Sequence, residues 1–243
     1  MEWREEGVLL AVRKHGENAA IIEVFTPGHG LHSGVVRGGA GRRMGPVLQP
    51  GTQLDLTWRA RLEDHLGAFS VEPVKLRAAE ILGDALALAG LSAVCALLRF
   101  TLPDREPHAA LYSRSVALLD ALTATGWPRA YLRWELALLE EMGFGLDLGR
   151  CAVTGRRDGL TFISPRTGRA VHADSAGDWA DRLLPLPDSL RPGSTGADLA
   201  DILAGLQVTG YFLTQHLARA QGERPVPAAR ARFVDLLARR GRA

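Results

Sequence analysis

Lysine is almost missing from this chain of 243 residues: of its 29 basic side chains only Lys14 and Lys75 are lysine, and the rest are arginine. A GC-rich coding bias accounts for that excess without reference to function. Cysteine is equally scarce. Cys95 and Cys151 are the only two, too few for the disulfide framework of a small secreted domain. Rings are few, at 6% aromatic residues, so a binding face built on many stacked bases is not expected. A long apolar run is missing too: Ala85 to Leu98 is bounded by Asp84 and Arg99, nearer a buried helix than a membrane span. Met1-Glu2-Trp3-Arg4-Glu5-Glu6 lacks the apolar core of a signal peptide, so the expected compartment is the cytoplasm, with no membrane partner. No one sign of charge dominates, because 27 acidic groups leave a formal charge of +2. With 47% hydrophobic and 23% charged residues, the composition excludes disordered and fibrous classes and permits one large domain or two small ones.

Signatures of catalysis are absent as well. No G-x-x-x-x-G-K-[ST] segment offers a P-loop, and no G-x-S-x-G elbow offers an activated serine. Gly28-His29-Gly30 lacks the third glycine and the strand-to-helix setting of a dinucleotide site, and reads as a turn. Acids such as Glu140-Glu141 read as solvated helix faces. The chain is expected not to be an enzyme.

Metal ligation needs closer inspection. Cys151-Ala152-Val153-Thr154-Gly155 and His172-Ala173-Asp174-Ser175 each hold a pair of positions with two residues between them. A structural zinc site takes four thiolate or imidazole ligands. Only Cys151 and His172 qualify; Thr154 and Ser175 are poor donors, and Asp174 could add an oxygen. The expectation is a metal-free lobe with no cofactor. Cys95, inside the apolar run, reads as inert core.

What is present is an α+β pattern with a change of texture near Pro73. Gly7 to Val12, Ala19 to Phe25, Leu31 to Val36, Leu54 to Trp58 and Leu66 to Val71 read as five short strands. The fourth shows it best, with Leu54, Leu56 and Trp58 alternating with Asp55, Thr57 and Arg59. Five such strands within residues 1–76 suggest a small closed barrel of the OB type. From 77 to 243 the pattern is helical: Leu76 to Leu102, His108 to Thr125 with Leu111, Ser115, Leu118, Leu119 and Leu122 on one face, and Pro128 to Met142. In that last helix Leu132, Leu136, Leu139 and Met142 form a packing stripe. A non-helical insert spans about 147–192, with a short helix expected over Asp174 to Leu184. Pro192-Gly193-Ser194-Thr195-Gly196 reads as a linker, and helices are expected over 197–220 and 227–240.

Charge by segment tells more than the total. Residues 1–77 net +1, residues 78–193 net −2 and residues 194–243 net +3. Between the third and fourth strands, Arg37-Gly38-Gly39-Ala40-Gly41-Arg42-Arg43-Met44-Gly45-Pro46 has three arginines, four glycines and no acid, and should be a mobile basic loop. Guanidinium forks bind phosphate oxygens bidentately, and glycines let backbone approach a sugar-phosphate chain closely. Arg37, Arg42, Arg43, Arg59 and Arg61 could form one cationic track across the barrel, with Arg13 and Lys14 at its edge. Trp58 and Phe69 sit at core positions, so binding should rest on phosphates and select little for sequence. The rival reading is a protein–protein adaptor with only weak DNA contact.

Several short segments then fall into a known order. Glu23-Val24-Phe25-Thr26, Val35-Val36-Arg37-Gly38-Gly39, the Arg42-Arg43 pair and Leu48-Gln49-Pro50-Gly51 resemble the RecO family of bacterial recombination mediators. So do Arg133-Trp134-Glu135-Leu136-Ala137-Leu138-Leu139, Gly143-Phe144-Gly145 to Cys151, and Arg182-Leu183-Leu184-Pro185-Leu186-Pro187. The resemblance runs over essentially the whole chain. It implies an N-terminal OB fold, an all-α domain with a small inserted lobe, and a role in DNA repair and homologous recombination without catalytic turnover. It further implies binding of single- and double-stranded DNA, annealing of complementary strands, and work with RecR and single-stranded DNA-binding protein to load RecA, near the nucleoid. DNA binding carries over onto Arg37, Arg42 and Arg43. Some members hold zinc with four cysteines in the insert; here Thr154, His172 and Ser175 stand where three of them would be.

Overall fold

The alternating segments of the N-terminal region form β1 (Glu2–His15), β2 (Ala19–Thr26), β3 (Gly30–Val36), β4 (Gln53–Arg59) and β5 (Ala68–Lys75). In this computed structural model, which describes residues 1–196 and 198–241, they close into a barrel in the order β1-β2-β3-β5-β4. β1 is longer than the apolar stretch Gly7–Val12 suggests. Its first half pairs with β4 and its second with β2, and a register shift between Leu9 and Ala11 lets it serve both. An extra residue at such a bulge bends the strand and tightens its twist, which a closing sheet needs. Polar residues at Glu2–Glu6 hide that first half from a hydrophobic pattern, because their strand face is wet.

Alternate residues of these strands point inward and pack Leu9, Ile22, Val24, Leu54, Leu56, Trp58 and Phe69 into one core. The span between β3 and β4 is a run of hydrogen-bonded turns, including Gly41 N–H to Gly38 O at 3.0 Å and Leu48 N–H to Met44 O at 2.8 Å. Its apolar residues Met44, Val47 and Leu48 pack against the barrel core. At the start of β5, Gly67 has φ +64°, and a Cβ there would overlap the indole Nε1 of Trp58. The indole donates instead to Leu66 O at 3.1 Å.

The helix expected over Leu76–Leu102 is two: α1 (Arg77–Glu80) and α2 (Ala85–Thr101). The Asp84 carboxylate causes the break by accepting from Leu86 N at 2.9 Å and Ala87 N at 3.1 Å, an N-cap that starts a new helix. α3 (Ala109–Asp120) buries Leu111, Ser115, Leu118 and Leu119 on the expected face. Arg77, 3% exposed, reaches Asp120 Oδ1 at 2.6 Å, Gly51 O at 3.1 Å and Gln53 at 3.2 Å. Cys95 is buried in α2, which pushes its thiol up to about 12 and leaves it inert. Met1–Thr125 with Pro227–Phe233 make one compact unit, and Gly126–Val226 with the chain from Val234 make a second.

In the second unit, α4 (Trp127–Glu141) has Pro128 in its first turn. Its buried face carries Tyr131, Leu132, Trp134, Glu135, Leu138 and Leu139, whereas Leu136 and Met142 of the expected stripe are half-buried. The stripe is displaced because Tyr131 and Trp134 bury more surface than the leucines they precede. Glu135 is fully buried and accepts from the Thr209 hydroxyl at 2.6 Å. The insert is a three-stranded sheet of β6 (Leu160–Ile163), β7 (Ala170–His172) and β8 (Leu184–Pro185), in the order β7-β6-β8. In place of one helix over Asp174–Leu184 stand α5 (Ala173–Ala176), a single-turn helix, and a 3₁₀ segment (Gly177–Arg182), parted by Gly177 at φ +47°. The helix expected from 197 opens at Leu199, its first expected residue lying outside those described. It is α6 (Leu199–Phe212), continued by a π-helical turn (Leu213–Leu217) and α7 (Ala218–Ala220). α8 (Ala228–Arg240) closes the chain.

Candidate nucleic-acid interface

Strand register decides where the cations of the first unit meet. Arg13, Ile21, Val35, Ala68 and Arg59 lie side by side in one cross-strand row. Four ladder steps of about 4.8 Å put Arg13 roughly 19 Å from Arg59 around the barrel wall. Arg37 follows directly on β3. Arg37 and Arg59 line the same groove of about 790 Å³, floored by Phe69 and Val71 and edged by Met44 of the turn-rich loop. Arg42 and Arg43 precede Met44 on that loop and are exposed. The loop is tied to the β1–β2 hairpin by Ala40 N–H to Asn18 O at 3.3 Å, and Lys14 pairs with Ala20 in that hairpin.

Charge pairing then separates these cations. Arg59 donates to Glu2 Oε1 at 2.7 Å, and this contact holds the Glu2 carboxyl below its ordinary range and the guanidinium above its own. Among the described residues, Arg13, Lys14, Arg37, Arg42, Arg43 and Arg61 make no ion pair or side-chain hydrogen bond. Other surface arginines are spoken for, as Arg4 by Asp55 at 2.5 Å and Arg99 by Glu23 at 2.5 Å. Arg61 is exposed on the β4–β5 loop beside Glu63 and Asp64, outside the groove. The structure thus brings Arg37 and Arg59 together, sets Arg42 and Arg43 on the adjoining loop, puts Arg13 and Lys14 at the hairpin and leaves Arg61 apart. An uncompensated guanidinium on an open groove has its donors available for phosphate oxygens.

The insert does not fit a tetrahedral zinc site. Among the described residues no group of three or more His, Cys, Asp or Glu is placed to hold a metal. The Cys151 Sγ is occupied by hydrogen bonds, from His172 N at 3.3 Å and Val153 N at 3.4 Å. His172 Nδ1 accepts from Asp174 N at 3.0 Å and so caps α5. Burial alone would raise the Cys151 thiol, but the Thr154 hydroxyl and the His172, Thr154 and Val153 N–H groups outweigh it and bring it to about 6. The Thr154 hydroxyl and these backbone donors thus stabilise the thiolate without a metal ion.

Two features lie outside the arginine pattern. At one end of the barrel, Trp3 and His29 stack at 4.0 Å, beside His32 and Trp58. Trp3 pairs with Trp58 in the sheet, and Gly28-His29-Gly30 is the turn that brings His29 over Trp3; one tryptophan on β1 and one on β4 are the sequence signal for it. In the insert, Trp179 is 63% exposed, carries Arg182 at 5.1 Å over its ring, and edges an apolar groove of about 540 Å³.

Comparison with known proteins gives a consistent result. Residues 1–77 match the family model described as Recombination protein O N terminal, and residues 82–225 match Recombination protein O C terminal. The chain is 62% identical to the DNA repair protein RecO of Cereibacter sphaeroides (strain ATCC 17029 / ATH 2.4.9), over 98% of this chain and 99% of that one. It is 63% identical to the protein of the same name from Roseobacter denitrificans, over 99% of this chain and 100% of the relative. For the Jannaschia sp. protein of that name the identity is 60%, over 98% and 97%.

Proposed function

The chain belongs to the RecO family of DNA repair and recombination proteins, and from that premise we propose that it is a non-catalytic recombination mediator. It binds single- and double-stranded DNA, anneals complementary strands, and works in the cytoplasm at the nucleoid. With RecR it helps RecA onto single strands coated with single-stranded DNA-binding protein. The observation that carries the reading is the groove shared by Arg37 and Arg59, with the unpaired Arg42 and Arg43 on the loop at its edge. The mechanism is electrostatic: guanidinium groups neutralise phosphates on two strands and lower the repulsion that opposes their pairing. Arg37, Arg42 and Arg43 supply most of that neutralisation, Arg13 and Lys14 extend it, and Arg59 contributes once a phosphate displaces Glu2. Arg61 adds a peripheral charge.

Gel-shift and strand-annealing assays on the full chain test this. The double variant Arg42→Glu, Arg43→Glu should bind single strands at least about tenfold more weakly, reversing two phosphate contacts, with thermal unfolding nearly unchanged because both side chains are exposed and unpaired. Equal binding by the variant would move the site elsewhere. The exposed Trp179 and Val153 of the insert favour a second reading, an adaptor with only weak DNA contact. It predicts wild-type binding that is weak and insensitive to salt.

A further inference from the structure

We infer that the cavity lined by Trp3, His29, His32 and Trp58 receives one nucleobase of a single strand whose phosphates lie on the Arg37–Arg59 groove. This rests on the DNA-binding reading above and adds a component that the arginines do not supply. The cavity holds about 440 Å³, within the roughly 300–1,000 Å³ of small-ligand sites. It shares Met1 and Glu2 with the arginine groove as lining residues. A strand held at the groove therefore passes its mouth.

The walls suit a flat heteroaromatic ring. Trp3 and His29 are parallel within 8° at 4.0 Å, and Trp58 lies 5.9 Å from Trp3. His32 stands edge-on to both indoles, at 5.3 Å from Trp3 and 4.8 Å from Trp58. His29 is pre-set by Glu5, whose carboxylate meets its Nδ1 at 3.0 Å and also accepts from Gly28 N at 3.0 Å.

His32 is the independent sign of a ligand. It is 4% exposed, it lines the cavity, and neither ring nitrogen has a hydrogen-bond partner. Buried polar atoms are rarely left unpaired, because desolvation is then uncompensated. Burial, with Arg105 and His29 nearby, keeps the ring neutral. A neutral imidazole offers one donor and one acceptor, the combination that a base edge can meet. The rim decides which part of a nucleotide enters. Glu2, Glu63 and Arg105 line it. Arg105 is committed to loop carbonyls and Glu2 to Arg59, so among the described residues no free cation draws a phosphate in. The uncharged base enters while the phosphates stay with the open arginines of the groove. Arg105 holds the Glu63 side of the rim through the carbonyls of Glu63, Asp64 and His65.

The test compares an intact single-stranded oligonucleotide with one of equal length and charge carrying abasic sites, by fluorescence anisotropy at fixed salt. Wild-type protein should prefer the intact strand by about tenfold, the scale of one base–aromatic stack. His29→Ala, at a half-exposed turn position, should remove most of that preference while leaving the abasic affinity and the salt slope unchanged. His32→Phe, which keeps the ring and loses both nitrogens, should weaken only the intact strand. Equal binding of both strands by wild type, or a preference that survives His29→Ala, overturns the base pocket while salt-dependent binding still stands. Failure of the DNA-binding reading looks different: neither strand then binds with any salt dependence.

Discussion

His32 couples one buried ring to the stability of the barrel. Burial is the first cause of its shift, and it brings the folded value down to about 4 from an ordinary 6.5. Between those values the unfolded chain holds a proton that the folded chain does not, so stability rises with pH across the window. It should fall as pH drops from about 6.5 toward 4, by up to about 3 kcal/mol. In His32→Phe that part of the pH dependence should vanish, read as the difference in urea midpoint between pH 7 and pH 5 against wild type. Residues were unequally legible. Trp58 and Phe69 read as core from alternation alone, because each sits on a strand face whose neighbours are apolar. Arg37, Arg42 and Arg43 read as exposed from an acid-free loop. His29 and His32 did not read as a site, because only the β1–β4 and β2–β3 registers bring their rings to Trp3 and Trp58.

Among elements, the β4–β5 connection tolerates little. Gly67 adopts φ +64° and lies against the Trp58 indole, so Gly67→Ala adds backbone strain and a steric overlap at once. The expected cost is about 2–4 kcal/mol, visible as a lowered urea midpoint. Here too the sequence was partly readable. All five barrel strands follow from period-two alternation or from apolar runs bounded by turns. The gap between α1 and α2 does not, because Ile81 and Leu82 continue the apolar texture and only the side chain of Asp84 starts the new helix. The sheet of the insert escapes for another reason. Its strands run four, three and two residues, too short for any period to establish itself.

For the molecule as a whole, a formal charge of +2 conceals a partition between cations already paired and cations left open. That partition sets the salt response. If four to seven phosphates are engaged, log affinity for single strands should fall against log salt with a slope of about −3 to −5. Arg37→Gln should flatten it by about 0.7, the share of one phosphate, and Arg59→Gln by less, since Glu2 already occupies that guanidinium. A titration from low to moderate salt measures both, and a flat wild-type response would remove the electrostatic mechanism. Segment charges hinted at this layout, but pairing between distant residues, such as Arg99 with Glu23, belongs to the folded chain alone. One further consequence concerns the order of synthesis. Arg105 clasps three carbonyls of the β4–β5 loop, and Arg77 clasps Gly51 and Gln53 at the start of β4. Both residues follow the last barrel strand. Chains fold from the N-terminus as they are made, so the nascent barrel waits for its fasteners, and a nascent chain that has emerged only through β5 would display five strands with an untied loop.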